Sequence, residues 1–151
     1  MRQVFIKWFY GFSPERRHVV TFVKGQGKRL VESAKGSDAV IVHVGTKSAD
    51  TDPENRGRLL GMVTFEDDIL KTEKKLDLSR ARARDFKADG TYRWPEALQI
   101  VQAWRFLDKP LADDILSKPL PSEAAWEALE LPPQDAEKIL AFRMEEVPVK
   151  R

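Results

Sequence analysis

Aromatic side chains recur at the ends of β-prone runs in this sequence, and basic residues lie beside them. Trp8 closes the first such run, Trp94 lies in an Arg-Trp-Pro turn, and Trp104 lies near the end of a later run. Aromatic rings beside positive charge can stack on the bases of single-stranded nucleic acid, or on a base flipped out of a duplex. The pattern therefore indicates a base-binding pocket. Trp94 fits it best, because Trp8 and Trp104 also fit core positions.

The sequence offers little for metal or covalent chemistry. Both histidines, His18 and His43, fall in predicted strands, and there is no cysteine and no acidic residue at metal-ligand spacing from them. We interpret each histidine as a strand residue with satisfied hydrogen bonds. Gly25 and Gly27 precede Lys28 without the rest of the phosphate-loop spacing, and hydrolase motifs are missing. We expect neither a metal site nor a cofactor.

Two apolar runs are predicted to be the strands that position these side chains. Residues 39–44 are apolar on both faces, which is typical of a central strand, and residues 58–65 form the second run. Gly61 interrupts the second run, which indicates a bulge or the close approach of another backbone. The polar loop between the runs has the length and composition of a binding element. We expect the two strands to be antiparallel neighbours.

Periodicity also predicts the remaining elements. Further strands are expected at residues 4–10, 18–23 and 97–106. A helix is expected at 27–34, with Leu30, Val31 and Ala34 facing inward and Gly36 as a left-handed cap. The tail is predicted to form helices at 111–116, 122–129 and 133–144.

The pattern as a whole predicts a single α+β domain over residues 1–151. Its expected architecture is a mixed β-barrel decorated with short helices, with a helical C-terminal segment from about residue 107 to residue 151. A doubly wound parallel sheet is not expected, because no strand leads into a glycine-rich phosphate turn and a long helix.

The net charge of +2 is unevenly distributed. Residues 1–60 carry a basic excess, which favours a surface that faces a polyanion, and residues 106–151 carry an acidic excess. Arg80, Arg82 and Arg84 alternate with alanines, as on a solvated helix face or loop; a phosphate-contacting patch is the alternative. No apolar run approaches the length of a membrane span, and the N-terminal run lacks a signal-peptide cleavage site. We expect no membrane partner, and a location in the cytoplasm or, in a eukaryote, the nucleus.

The order of these motifs resembles the PUA-like superfamily and is most similar to its EVE branch. The resemblance rests on the N-terminal strand ending in Lys-Trp-Phe and on residues 35–42, 60–63, 94–95, 97–106, 109–111, 120–122 and 139–140. It implies a pseudo-barrel that binds nucleic acid. The related YTH and SRA groups hold a modified base in an aromatic pocket. By position, the resemblance implies a pocket lined or rimmed by Lys7, Trp8, His43, Thr46, Lys47, Ser48, Trp94 and Trp104.

Three functions follow from these observations, and the first is favoured. It is a non-catalytic module that binds RNA or DNA and recognises a modified or flipped base, with phosphate contacts from Lys47, Arg56 and Arg58.

The second is a small amidohydrolase of the related ASCH type, acting on modified nucleosides through a Lys, a Thr and a Glu. Gly27, Lys28 and Glu32 only approximate its motif, because one extra residue rotates a helical side chain by about 100°. The third is a protein-interaction domain that binds a partner through the acidic C-terminal helices.

Overall fold

A computed structural model describes residues 2–35 and 38–150 of the chain. Within these residues, eight strands form one sheet, and three α-helices and five short 3₁₀ helices lie between them. The strands are β1 (Val4–Phe9), β2 (Val19–Phe22), β3 (Val40–Gly45), β4 (Leu59–Phe65), β5 (Leu70–Lys71), β6 (Glu96–Phe106), β7 (Leu129–Glu130) and β8 (Met144–Val147). The α-helices are α1 (Gln26–Ser33), α2 (Ala112–Ile115) and α3 (Pro133–Leu140). The 3₁₀ helices are Pro53–Asn55, Thr72–Lys74, Leu78–Arg80, Ala83–Asp85 and Ser122–Ala125.

The sheet is mixed and curls into a half-barrel, which confirms the predicted α+β class. Its strand order is β2-β6-β4-β3-β1-β7, and β5 and β8 also pair with β6. The pair β1–β3 is parallel, and the other pairs are antiparallel. The long strand β6 therefore joins the half that contains β4 and β3 to the half that contains β2.

The two strongest sequence predictions are confirmed. Strands β3 and β4 are antiparallel neighbours, with Ile41 opposite Val63, and every residue of β3 is buried. Their register shifts after His43, opposite Gly61. A side chain at Gly61 would collide with the ring of Phe12 and with the carbonyl oxygen of Trp104. Both alternatives for this glycine, a bulge and a close backbone approach, are therefore present.

The core lies on both faces of the sheet, because the inner strands have apolar side chains at both odd and even positions. Val4 and Ile6 of β1 belong to the cluster that also contains Ala112 of α2 and Ile139 of α3. Phe5, the residue between them, belongs to the opposite cluster, which α1 covers. Leu30 and Val31 of the helix, together with Ala34 directly after it, meet that cluster, as the sequence predicted.

The tail departs from its predicted helices. Residues 122–129 form only a short 3₁₀ helix, after which Leu129 and Glu130 pair with β1. Helix α3 ends at Leu140, and Met144–Val147 pairs with β6. The helix predictions for 126–129 and 141–144 were wrong. Backbone groups at the edges of β1 and β6 bind residues 129–130 and 144–147 as strands, and turns lead into both strands. The predicted cap at Gly36 lies outside the described residues. None of the described helices has the length and apolar character needed to cross a membrane.

Candidate functional site

A cavity of about 450 Å³ opens between β1 and β2. The chain segment that follows β1, the loop after β3 and the loop around Arg82–Asp85 complete its walls. Five aromatic residues take part in the lining: Trp8, Phe9, Tyr10, Phe12 and Trp94. A volume of this size is typical of sites for small molecules.

Lys7 is buried at the inner end of the cavity. The residue is 2% exposed, and its Nζ donates a hydrogen bond of 3.0 Å to the carbonyl oxygen of Ala125. The same nitrogen lies 4.7 Å from the centre of the Phe9 ring and 5.0 Å from that of the Trp94 ring. The two aromatic faces attract the charged ammonium group. Burial nevertheless removes the water that would solvate this charge, and it lowers the pKa of Lys7 to about 7.

His43 lies beside Lys7, because the two residues are register partners in β1 and β3. Its ring stacks on Phe9 at 3.7 Å between centroids, and the edge of Phe12 approaches at 5.0 Å. Burial and the positive charge of Lys7 lower the pKa of His43 to about 3, so the imidazole is neutral at pH 7. Neither ring nitrogen has a hydrogen-bond partner among the described residues. The expectation of a satisfied strand histidine was therefore wrong at this position. It was also wrong at His18, which precedes β2 and whose buried Nδ1 has no hydrogen-bond partner among the described residues. A neutral imidazole can offer one donor and one acceptor to a ligand.

Trp94 forms another wall, and hydrogen bonds hold both its ring and its backbone. Its indole nitrogen donates a hydrogen bond of 3.3 Å to Oδ1 of Asp85, and its carbonyl oxygen accepts one from the Thr72 hydroxyl. The ring is half-buried. A fixed, partly exposed aromatic face is suited to stacking, because little side-chain entropy is lost when a planar ligand binds.

Arginines surround the mouth of the cavity. Arg84 lies over the Tyr10 ring at 3.9 Å and forms an ion pair of 3.7 Å with Asp50. Three further arginines line the cavity, are exposed and form no ion pair with a carboxylate of the described residues: Arg16, Arg17 and Arg82. Arg82 and Arg84 lie in the run that the sequence offered as a phosphate patch, whereas Arg16 and Arg17 were not predicted.

The loop after β3 contributes less to the cavity than the sequence suggested. Thr46, Asp50 and Asp52 line it, and the backbone N–H of Thr46 donates to the carbonyl oxygen of Phe9. Lys47 and Ser48 do not line it; Lys47 forms an ion pair of 2.9 Å with Asp113. Arg56 and Arg58 do not line it either, because they donate to the carbonyl oxygens of Thr51 and Lys109. Phosphate contacts from this loop stay a prediction.

Two of the predicted tryptophans pack against the core. Trp8 borders the cavity, but its ring packs against the cluster of Val4 and Ile6, and its indole nitrogen donates to Pro121 at 3.1 Å. Trp104 lies outside the cavity walls and packs against the same cluster. Alternation along β1 explains the placement of Trp8. Its side chain lies on the same face of the strand as those of Val4 and Ile6, whereas the side chain of Lys7 lies on the opposite face.

The structure separates the approximate hydrolase motif from the cavity. Lys28 and Glu32 form an exposed pair on α1, 4.0 Å apart, and neither lines the cavity. Within the described part of the chain, no group of three or more histidine, aspartate or glutamate side chains is placed to hold a metal ion.

No family model matches the chain, and no curated protein matches it in sequence. The crystal structure of the Pho92 YTH domain in complex with m6A is similar to it, with a TM-score of 0.52 over 92% of this chain and 81% of that chain. The sequence identity is 14%, so this likeness shows the fold alone. The chain has an α+β fold like that of a YTH domain, one of the relatives that the sequence resemblance named. Membership of the EVE branch stays a prediction.

Proposed function

We propose that this protein is a non-catalytic module that binds nucleic acid and holds one modified or flipped base in the cavity. The observation that carries the proposal is the combination of a fixed aromatic wall, Trp94, with two buried polar side chains, Lys7 and His43. The structurally similar Pho92 YTH domain was solved in complex with m6A, which supports the assignment.

The cavity has separate means to bind the face and the edge of a planar ring. Trp94 can stack on the face, a contribution of about 1–3 kcal/mol per base. Lys7 can donate to an acceptor on the edge of the base, and neutral His43 can both donate and accept. Discrimination of one base from another depends on such edge contacts, because every base has a stackable face. The edge contacts would therefore define which modification is bound.

The mouth of the cavity can bind the backbone around that base. Arg16, Arg17 and Arg82 form no carboxylate pairs within the described residues, so their charges are available to phosphates. Phosphate contacts fix orientation and add affinity without reading sequence. We infer that the base in the cavity belongs to a strand and that flanking phosphates meet these arginines.

The experiment is a binding titration of Trp94→Ala with single-stranded RNA and DNA oligonucleotides, each with and without modified bases, m6A included. We expect an affinity loss of about 1–3 kcal/mol for the oligonucleotide that binds best. Trp126→Ala is the matched control, because Trp126 is 44% exposed and does not line the cavity. Thermal unfolding of both variants must remain close to that of the wild type. If folded Trp94→Ala binds every oligonucleotide as tightly as Trp126→Ala, the proposed site is wrong.

A further inference from the structure

We propose that Lys7 is a reactive amine that forms an imine with an aldehyde carried by an aromatic ring in the cavity. This covalent step goes beyond the proposed function, which needs only reversible, non-covalent contacts. The ligand class is an aromatic aldehyde of nucleobase size, such as a base that bears a formyl group. The reaction captures its ligand reversibly, without turnover.

The geometry around the amine supports this reaction. Lys7 is almost fully buried and yet lines the cavity. Its nitrogen contacts two carbonyl oxygens, those of Ala125 at 3.0 Å and Trp8 at 3.5 Å. A lysine nitrogen has three positions besides its bond to carbon, so these contacts leave one position for a ligand. No carboxylate of the described residues pairs with the amine and holds it in its charged form.

Burial also supplies the form of the amine that reacts. Only a neutral amine attacks a carbonyl carbon, and lysines that form imines are typically activated by an apolar pocket. Burial lowers the pKa of Lys7 to about 7. At pH 7 about half of the Lys7 side chains are therefore neutral, whereas an exposed lysine is neutral in roughly one molecule in 2,500. Lys7 should react far ahead of the surface lysines.

The step balances without a further reactant. The Lys7 nitrogen forms a bond to the aldehyde carbon as the carbonyl π bond breaks. One of the two amine protons passes to the carbonyl oxygen, and a carbinolamine results. The nitrogen then gives up its remaining proton as the carbinolamine oxygen leaves as water, and a carbon–nitrogen double bond remains. Hydrolysis reverses both stages. The rings of Phe9 and Trp94 lie beside the amine, with their centres 4.7 and 5.0 Å from the Lys7 nitrogen. These two rings can hold the ring that carries the aldehyde.

Reductive trapping tests the proposal. The protein is incubated at pH 7 with 5-formyluridine and cyanoborohydride, and separately with pyridine-4-carboxaldehyde, which contains no nucleoside. Intact-mass and peptide spectra should show one adduct, located on Lys7, heavier than the protein by the ligand mass less one oxygen atom. Per residue, its yield should exceed that of exposed lysines at least about tenfold. Uridine, the matched ligand without the aldehyde, should give no adduct.

Three variants make the test decisive. Lys7→Met and Lys7→Arg should lose the adduct, and Lys118→Met, at an exposed lysine outside the cavity, should retain it. Thermal unfolding checks that each variant is folded. The proposal is overturned if wild-type Lys7 is trapped no more than exposed lysines, or if folded Lys7→Met gives the wild-type yield. Oligonucleotide binding without any Lys7 adduct would overturn this inference alone and leave the proposed function intact.

Discussion

Lys7 and His43 lie side by side in the parallel pair of β1 and β3, so a buried amine and a buried imidazole adjoin at one cavity. Burial lowers the pKa of both side chains, and the charge of Lys7 lowers that of His43 further. Folding therefore disfavours protonation at both positions. Each residue consequently makes stability depend on pH, in a different window.

Lys7→Met should stabilise the protein most at and below pH 7. The pKa of Lys7 is about 7 in the folded protein and about 10.4 in an unfolded chain, so the unfolded state binds more protons between these values. Stability of the wild type must rise with pH in that window, at up to about 1.4 kcal/mol per unit. Urea unfolding from pH 6 to 10 should show the advantage of Lys7→Met shrinking as pH rises. An advantage that stays constant over this range would contradict the buried, uncompensated amine.

His43→Phe should protect the protein against acid. The pKa of His43 is about 3 in the folded protein and about 6.5 when unfolded, so the unfolded state binds an extra proton as pH falls through that window. Wild-type stability should fall from about pH 6.5 toward pH 3, and the variant should lose less. The variant keeps an aromatic ring against Phe9. Protonation of the carboxylates lowers stability in acid equally in both proteins, so the difference between them reports on His43. Parallel unfolding curves at pH 4, 5 and 7 measure the difference; identical losses would place His43 in contact with solvent.

Trp8 should act on stability and not on ligand binding. Its ring packs against the Val4 and Ile6 cluster, so Trp8→Ala should lower the free energy of unfolding by about 3–5 kcal/mol. Trp8→Phe keeps most of the packing and removes the hydrogen bond to Pro121, which should lower that free energy by about 1 kcal/mol. Urea unfolding measures both effects. Oligonucleotide affinity of folded Trp8→Phe should equal that of the wild type, and a tenfold loss would move Trp8 into the binding surface.

Arg16, Arg17 and Arg82 should set the salt dependence of binding. For a single strand, log K falls by about 0.7 per log unit of salt for each phosphate contact. Replacing the three arginines by Gln should therefore flatten the slope by up to about 2 units, whereas Arg29→Gln with Arg143→Gln should not. The two control arginines are exposed and already paired with carboxylates. Titrations between 50 and 200 mM salt give the slopes. If the controls and the triple variant behave alike, the mouth of the cavity does not bind phosphate.

Local sequence patterns predicted the inner sheet but not its edges. Strands β3, β4 and β6 were predictable because a short run rich in apolar, β-branched residues, whether apolar on both faces or alternating, already favours a strand. Residues 144–147, Met-Glu-Glu-Val, carry almost no such pattern, and they are extended because β6 offers them a free edge. Pairing with a strand some 40 residues away is not encoded in a local window.

The candidate site was predictable to the extent that it follows strand parity. Trp94 was identified from its residue type and its turn, Lys7 only from the family resemblance, and the parity of Trp8 with Val4 and Ile6 already suggested a core position. Arg16 and Arg17 were missed because a turn after a strand has no period from which its direction can be read. The unpartnered nitrogens of His43 were also missed, since hydrogen bonding of a buried ring depends on the residues that pack around it.

The pairing of β1 has a consequence during synthesis on the ribosome. Ile6 pairs with Val42 on one side and with Leu129 on the other. The edge of β1 that pairs with β3 can be covered early. The edge that pairs with β7 stays open until more than 120 further residues have been made. Such distant pairings make folding slow, and an uncovered strand edge can bind another nascent chain. We therefore expect the new chain to depend on chaperones until Leu129 and Glu130 have emerged.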